Sequence, residues 1–197
     1  PRDVKEIADD LGLKILALQP FRDLEGMPEE LKRQKFYHMQ RRFEMMHELG
    51  TERILCCSNV SPYAVADKER CAADLYEAAE LAHNEGFIMG YEALSWGRYV
   101  ADYEDAWDLV KRANHPALGI NLDTFHMFSR GNTLDCLRDE ITVDKIALVQ
   151  VADAPIIPTS DLMHWSRHYR CFPGQGDMPV AEFMKVLCDK NFDDYIS

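Results

Sequence analysis

Three apolar runs end in oxygen-bearing side chains: Glu92 closes FIMGYE, Asp123 closes LGINLD, and Gln150 stands near the end of IALVQV. The three are spaced 31 and 27 residues apart, the length of one strand plus one covering helix, so they could converge at one end of a parallel sheet. Two carboxylates and an amide carbonyl are the donors that hard divalent cations prefer, Mg²⁺ or Mn²⁺ first and Co²⁺ as a further option. Two negative charges leave such a cation partly unneutralised and able to polarise a carbonyl, which favours chemistry next to a ketone. Each residue also has a plainer role, as a helix cap or a partner for a loop amide. Their shared register is what suggests a site.

His126 follows Asp123 by three residues in LDTFH and is expected on the loop after that strand. Histidine titrates near about 6.5 and can take a proton alpha to a polarised carbonyl. A fourth metal ligand and a helix-capping histidine are the alternatives. The segment HWSRHYRCFPGQGD, His164 to Asp177, reads as a loop. Within it Arg170 could fork onto a substrate carboxylate, with Ser166 four residues earlier. Arg22 in QPFRD is a second candidate for the same anion. For all three the alternative is a solvated loop side chain.

Positioning these groups requires a regular frame. A helix is expected from Arg2 to Leu11, with Gly12 as its left-handed end, and then strands from the runs LKILAL at Leu13, RILCCS at Arg53, FIMGYE at Phe87, LGINLD at Leu118, IALVQV at Ile146 and the terminal DYIS. Between them, Phe36, Met39, Phe43 and Met46 recur at helical spacing, as do Cys71, Leu75, Ala78, Ala79 and Ala82. Tyr103–Asn114 and Pro179–Lys190 supply two more helices. Alternating strands and helices imply parallel pairing through right-handed crossovers. No GxGxxG or GxxxxGK[ST] loop follows a strand, which favours a (β/α)8 barrel over a nucleotide-binding open sheet. A closed barrel needs about two more strands before Pro1 and the completion of the last, so residues 1–197 are expected to be one partial barrel domain.

The 47% hydrophobic and 28% charged content is that of an ordinary globular chain. A net charge of −12 argues against nucleic acid and anionic membrane as partners, and leaves any anionic ligand to a local cation or a metal. No run is apolar enough to cross a bilayer and no signal-peptide pattern opens the chain, so a cytoplasmic protein is expected. Six cysteines without CxxC spacing read as small buried hydrophobes rather than disulfides or zinc ligands. The expected partner is a small anionic ketone, and assembly into a homo-oligomer stays open.

The motifs GYEALSWGRYV, LDTFH, VQVADAP and RCFPGQGD resemble the xylose-isomerase-like TIM-barrel superfamily, and within it the bacterial 3-dehydroshikimate dehydratases, along the whole chain. The RxxPGxG turn marks the superfamily; the longer motifs are more specific. The resemblance implies that Glu92, Asp123 and Gln150 bind a divalent metal, that His126 is the catalytic base, and that Ser166 and Arg170 contact the anionic substrate. It implies loss of water from 3-dehydroshikimate to give protocatechuate. It also implies a fourth metal ligand, a Glu shortly beyond Ser197, and in some members a dioxygenase-like C-terminal domain. The rival readings are a sugar or hydroxypyruvate isomerase of the same superfamily and a barrel-like binding domain without catalysis. An endonuclease fits less well, for want of a basic surface and a larger set of His ligands.

Overall fold

The computed structural model describes residues 1–197. In chain order it contains α1 (Arg2–Asp10), β1 (Leu18–Arg22), α2 (Glu29–Leu49), β2 (Arg53–Cys57), α3 (Lys68–Asn84), β3 (Ile88–Glu92), α4 (Tyr103–Ala113), β4 (Leu118–Asp123), α5 (Thr124–Phe128), α6 (Asp135–Asp139), a 3-10 turn at Val143–Lys145, β5 (Ile146–Gln150), α7 (Leu162–His168) and α8 (Val180–Asp189). The five strands form one parallel sheet in the order β1-β2-β3-β4-β5, as strand-helix alternation requires.

One expectation about strands needs correction. The run at Leu13 does not enter the sheet until Leu18, the first residue paired with β2; Leu13 is 61% exposed, so the apolar run spends its first residues as a linker. The terminal DYIS, expected as the start of a strand, makes a parallel bridge between Ile196 and Val149, with Ser197 and Val151 extending the pairing. The long helices start and stop where local chemistry dictates. Asp67 accepts the Arg70 amide at 3.1 Å to cap α3, while Gly50 (φ 66°) and Asn114 (φ 48°) end α2 and α4 in the left-handed conformation.

Both faces of β2 to β5 are buried, which explains why they read as continuous apolar runs, whereas in β1 only Phe21 is buried. Outward-facing Ile54, Cys56, Met89, Tyr91, Ile120 and Leu122 join the main core, packed under α2, α3 and α4. The inner face carries a smaller cluster of Leu55, Cys57, Leu94 and Leu148. Because side chains alternate along a strand, Cys57, Glu92, Asp123 and Gln150 share the inner face at the carboxyl ends. The register pairs Cys57 with Glu92 and Asp123 with Gln150.

One layer below, space is tight. A Cβ on Gly90 would lie 2.1 Å from Asn121 Oδ1 and 3.0 Å from Ala147 Cβ. Gly90→Ala is therefore expected to destabilise the full-length protein by about 1–3 kcal/mol through overpacking. Urea unfolding measures this; an unchanged midpoint would show that Asn121 yields without cost.

Candidate active site

The side chains of Arg22, Glu92, Asp123, His126, Gln150, Ser166 and Arg170 all line one cleft of about 250 Å³ at the carboxyl ends of the strands. Each residue singled out from sequence therefore reaches the same place. Ligand atoms of Glu92, Asp123 and His126 lie within 4.8 Å of one another, and all three residues are buried.

Asp123 does two jobs at once. Its Oδ1 accepts the Phe125 and His126 amides at 2.8 and 3.2 Å and caps α5, which makes LDTFH a helix start rather than the expected loop. Its Oδ2 turns to the cleft and accepts Arg170 Nη1 at 2.7 Å. Glu92 is 4% exposed. Burial first, then the neighbouring charge of Asp123, hold its carboxyl well above the ordinary carboxylate range. Its Oε2 accepts the Cys57 thiol at 3.4 Å, and its Oε1 has no partner. Gln150 donates Nε2 to Gln19 Oε1 at 3.2 Å, so its amide oxygen remains available. A buried carboxylate oxygen without a partner, beside a second carboxylate and a free amide oxygen, is a donor set that suits a divalent metal.

His126 sits on α5 with Trp96 edge-on at 5.0 Å. Burial lowers its pKa to about 4, with Arg170 and Arg22 adding to the shift against Asp123. Three donors contend for its two nitrogens. The Ser95 amide and hydroxyl both lie 3.1 Å from Nδ1, and Arg170 Nη2 lies 3.3 Å from Nε2. With the proton on Nε2 the Ser95 amide is satisfied and Arg170 is not. With the proton on Nδ1, directed at Ser95 Oγ, Nε2 accepts from Arg170 and the Ser95 amide faces a proton.

Ser166 lies on α7, a helix where a loop was expected. Asp161 caps it by accepting the His164 amide at 2.9 Å, and Trp165 anchors it edge-on against Phe125. Arg170 is more occupied than its sequence role suggests. Besides Asp123 and His126, it donates Nε to Ser166 Oγ at 3.1 Å and lies over the Phe125 ring at 4.6 Å. Arg22 is the reverse: its side chain is exposed, lines the cleft and has no hydrogen-bond or ion-pair partner. Sequence reading passed over Cys57, Ser95 and Trp96. The last two lie inside GYEALSWG, so that motif carried a signal; Cys57 looked like any other core cysteine. All six cysteines are free.

A family model described as xylose isomerase-like TIM barrel matches residues 1–197. A 3-dehydroshikimate dehydratase of Pseudomonas putida is 46% identical over 187 residues, covering 95% of this chain and 29% of its own length. Among solved structures, a xylose isomerase-like TIM barrel/4-hydroxyphenylpyruvate dioxygenase fusion protein superposes with a TM-score of 0.96 at 44% identity, over 100% of this chain and 31% of its own. The IolI protein with a bound zinc atom superposes with a TM-score of 0.85 at 21% identity, over 98% of this chain and 71% of its own. The chain thus spans under a third of the length of its 46%-identical relative. No helix is long and apolar enough to cross a membrane.

The segment that carries Arg170 is held by Asp153, 1% exposed. Its Oδ1 accepts the Ala154 and Met178 amides at 2.8 and 3.0 Å, and its Oδ2 accepts those of Gly174 and Gly176 at 2.9 and 3.0 Å. Gly176 is required there, since a Cβ would lie 2.4 Å from Asp153 Oδ1. Burial pushes this carboxyl up, but the four amides outweigh it and hold the pKa below the ordinary value. Asp153→Asn turns an amide group against N–H donors and is expected to cost about 3 kcal/mol at neutral pH. Because the folded pKa is depressed, the contribution is complete above the unfolded pKa of about 4 and is lost as pH falls through the folded value. Urea unfolding of both proteins at neutral and acid pH should show the gap shrinking in acid; a constant gap would contradict the charge-based account.

Proposed function

The chain belongs to the xylose isomerase-like TIM-barrel family, and from that premise we propose that the protein removes water from 3-dehydroshikimate to form protocatechuate, using a divalent cation held by Glu92, Asp123 and Gln150. The observation that carries this reading is the unpartnered, buried Oε1 of Glu92 facing Asp123 in a cleft that also holds His126 and an unpaired Arg22. The two Pseudomonas relatives, each 46% identical and named 3-dehydroshikimate dehydratase, support the choice of reaction. Magnesium or manganese suits an all-oxygen donor set, with cobalt a further option.

The cation, when bound, supplies Lewis acidity beside the ring ketone and makes the neighbouring C–H more acidic. The chain's own groups do the rest. Arg22 binds the substrate carboxylate together with Ser166, since Arg170 is already committed to Asp123, His126 and Ser166. His126, with its Nδ1 proton directed at Ser95 Oγ, has its Nε2 lone pair on Arg170 Nη2 at rest; once the substrate displaces that contact, Nε2 takes the proton alpha to the ketone. The imidazolium so formed is a strong acid, because burial and two guanidinium groups disfavour its charge. It returns that proton to the departing hydroxyl, so one C–H and one C–O bond break, one water leaves, and the ring gains a double bond; the dienone so formed becomes protocatechuate when a proton of the remaining ring CH2 is lost and the ketone oxygen gains one. Trp96 and Leu94 wall the cleft and limit water around the imidazole.

These roles separate in measurements on the full-length protein. Glu92→Ala and Asp123→Ala should each weaken Mn²⁺ binding in calorimetry by more than about 100-fold. Wild-type affinity in both would sink the metal site. His126→Ala should keep the metal and lose about 10²–10⁴ in turnover; near-normal turnover would assign the proton to another group. Arg22→Ala should raise KM about 10–100-fold with a smaller change in kcat, the loss of one charge-assisted contact. Protocatechuate absorbance is the assay. Absence of product, with isomerisation of a ketose instead, would move the protein to the isomerases of the family.

A further inference from the structure

Cys57 ends β2 and is the register partner of Glu92 on β3, so the two side chains lie side by side on the inner face. It is 2% exposed and packs with Leu55, Leu94 and Leu148. Its sulfur lies 3.4 Å from Glu92 Oε2, and no other hydrogen-bonding group engages that oxygen. Glu92 thus has one oxygen tethered and the other, Oε1, buried without a partner. A thiol carries a proton that it can donate, weakly, to a carboxylate oxygen, and Oε2 is the acceptor within its reach.

We propose that Cys57 is a positioning residue for the metal site: its S–H holds Glu92 Oε2 so that Oε1 is presented to the cation. The proposal rests on the reading of Glu92 as a metal ligand. Groups that hydrogen-bond to a ligand fix its orientation, and their loss typically weakens metal binding about 10–100-fold. A thiol is a weak donor, so the lower end of that range applies. The surrounding leucines offer Oε2 no substitute, and a Glu92 side chain released from Cys57 has a wider choice of rotamers. Cys57 then differs from the other small residues that would pack at this position by its donor.

The test is Mn²⁺ titration calorimetry on the full-length protein carrying Cys57→Ala, Cys57→Val or Cys57→Ser, with Glu92→Gln alongside. Alanine and valine, one leaving space and one filling it, both remove the donor and should weaken binding about tenfold. Serine keeps a donor and should stay within about threefold of wild type. Infrared spectra give a second readout. The S–H band present in wild type and absent in Cys57→Ser should lie at lower frequency than that of a free thiol, and shift when Mn²⁺ binds. Wild-type affinity in the alanine and valine variants, or a Cys57 S–H band that ignores the metal, overturns the proposal. If Glu92→Gln also binds Mn²⁺ as wild type does, the reading of Glu92 as a ligand fails as well; if it alone loses the metal, only the role of Cys57 is lost.

Discussion

Two buried carboxylates facing one cleft, Glu92 and Asp123, set the terms for the groups around them. Like charges in a poorly solvated place repel, and neither can stay ionised without nearby compensation. The chain compensates Asp123 fully. One oxygen caps α5 through two amides and the other meets Arg170. Glu92 accepts a hydrogen bond from a thiol alone, with Arg170 and Arg22 acting on it only through space, and its second oxygen is left without a partner. A fold that buries an acid in this way loses stability, and rules of local consistency are broken most often at functional sites.

The sheet turns this local imbalance into a site. Parallel pairing places Cys57 beside Glu92 and Asp123 beside Gln150, and a one-residue slip in any strand would send its ligand outward into the helices. The inner layer beneath, with Gly90 making room for Asn121, limits such slippage through steric fit. Asp153 performs the matching task outside the sheet. By gathering four amides, it folds the Pro-Gly-rich segment so that Arg170, just before it, points back across the strand ends. Rigid strands thus supply the acids, and a clamped loop supplies the cation.

The strands after β1 were legible because both of their faces are buried and their apolar runs are unbroken, and the long helices because Met39, Phe43, Leu75 and Ala79 keep a helical period. The Leu13 run misled because hydrophobicity alone cannot tell a strand from an exposed linker with apolar residues. Helices α5 and α7 were hidden by their shortness: five and seven residues carry too little periodicity to register. Capping and a place in the cleft looked like alternatives for Asp123 in sequence. In space they use different oxygens: Oδ1 caps α5, and Oδ2 turns to the cleft, where it accepts Arg170. The cleft residues were found through strand-end position and family motifs, whereas Cys57 and Ser95 act through hydrogen bonds to other side chains, and no spacing rule announces such a partner.

The two arginines of the cleft differ in how far their donors are committed. Arg170 has all three guanidinium nitrogens committed within the cleft, to Ser166, Asp123 and His126, and a fork already engaged on one carboxylate is poorly placed to take another. Arg22 has none committed and lines the same cleft from an exposed position. Asp123 and Arg170 neutralise one another, which leaves Glu92 and Arg22 in the cleft without an ion-pair partner. The two carry that lack differently. Glu92 is buried and bears the desolvation cost, whereas Arg22 is exposed and stays hydrated. At an effective dielectric of about 20, a unit pair about 4 Å apart interacts by about 4 kcal/mol, so an opposite charge brought beside the buried acid relieves more than one brought beside the exposed arginine. The cleft thus presents an unmatched acid in its depth and an unmatched guanidinium on its exposed side.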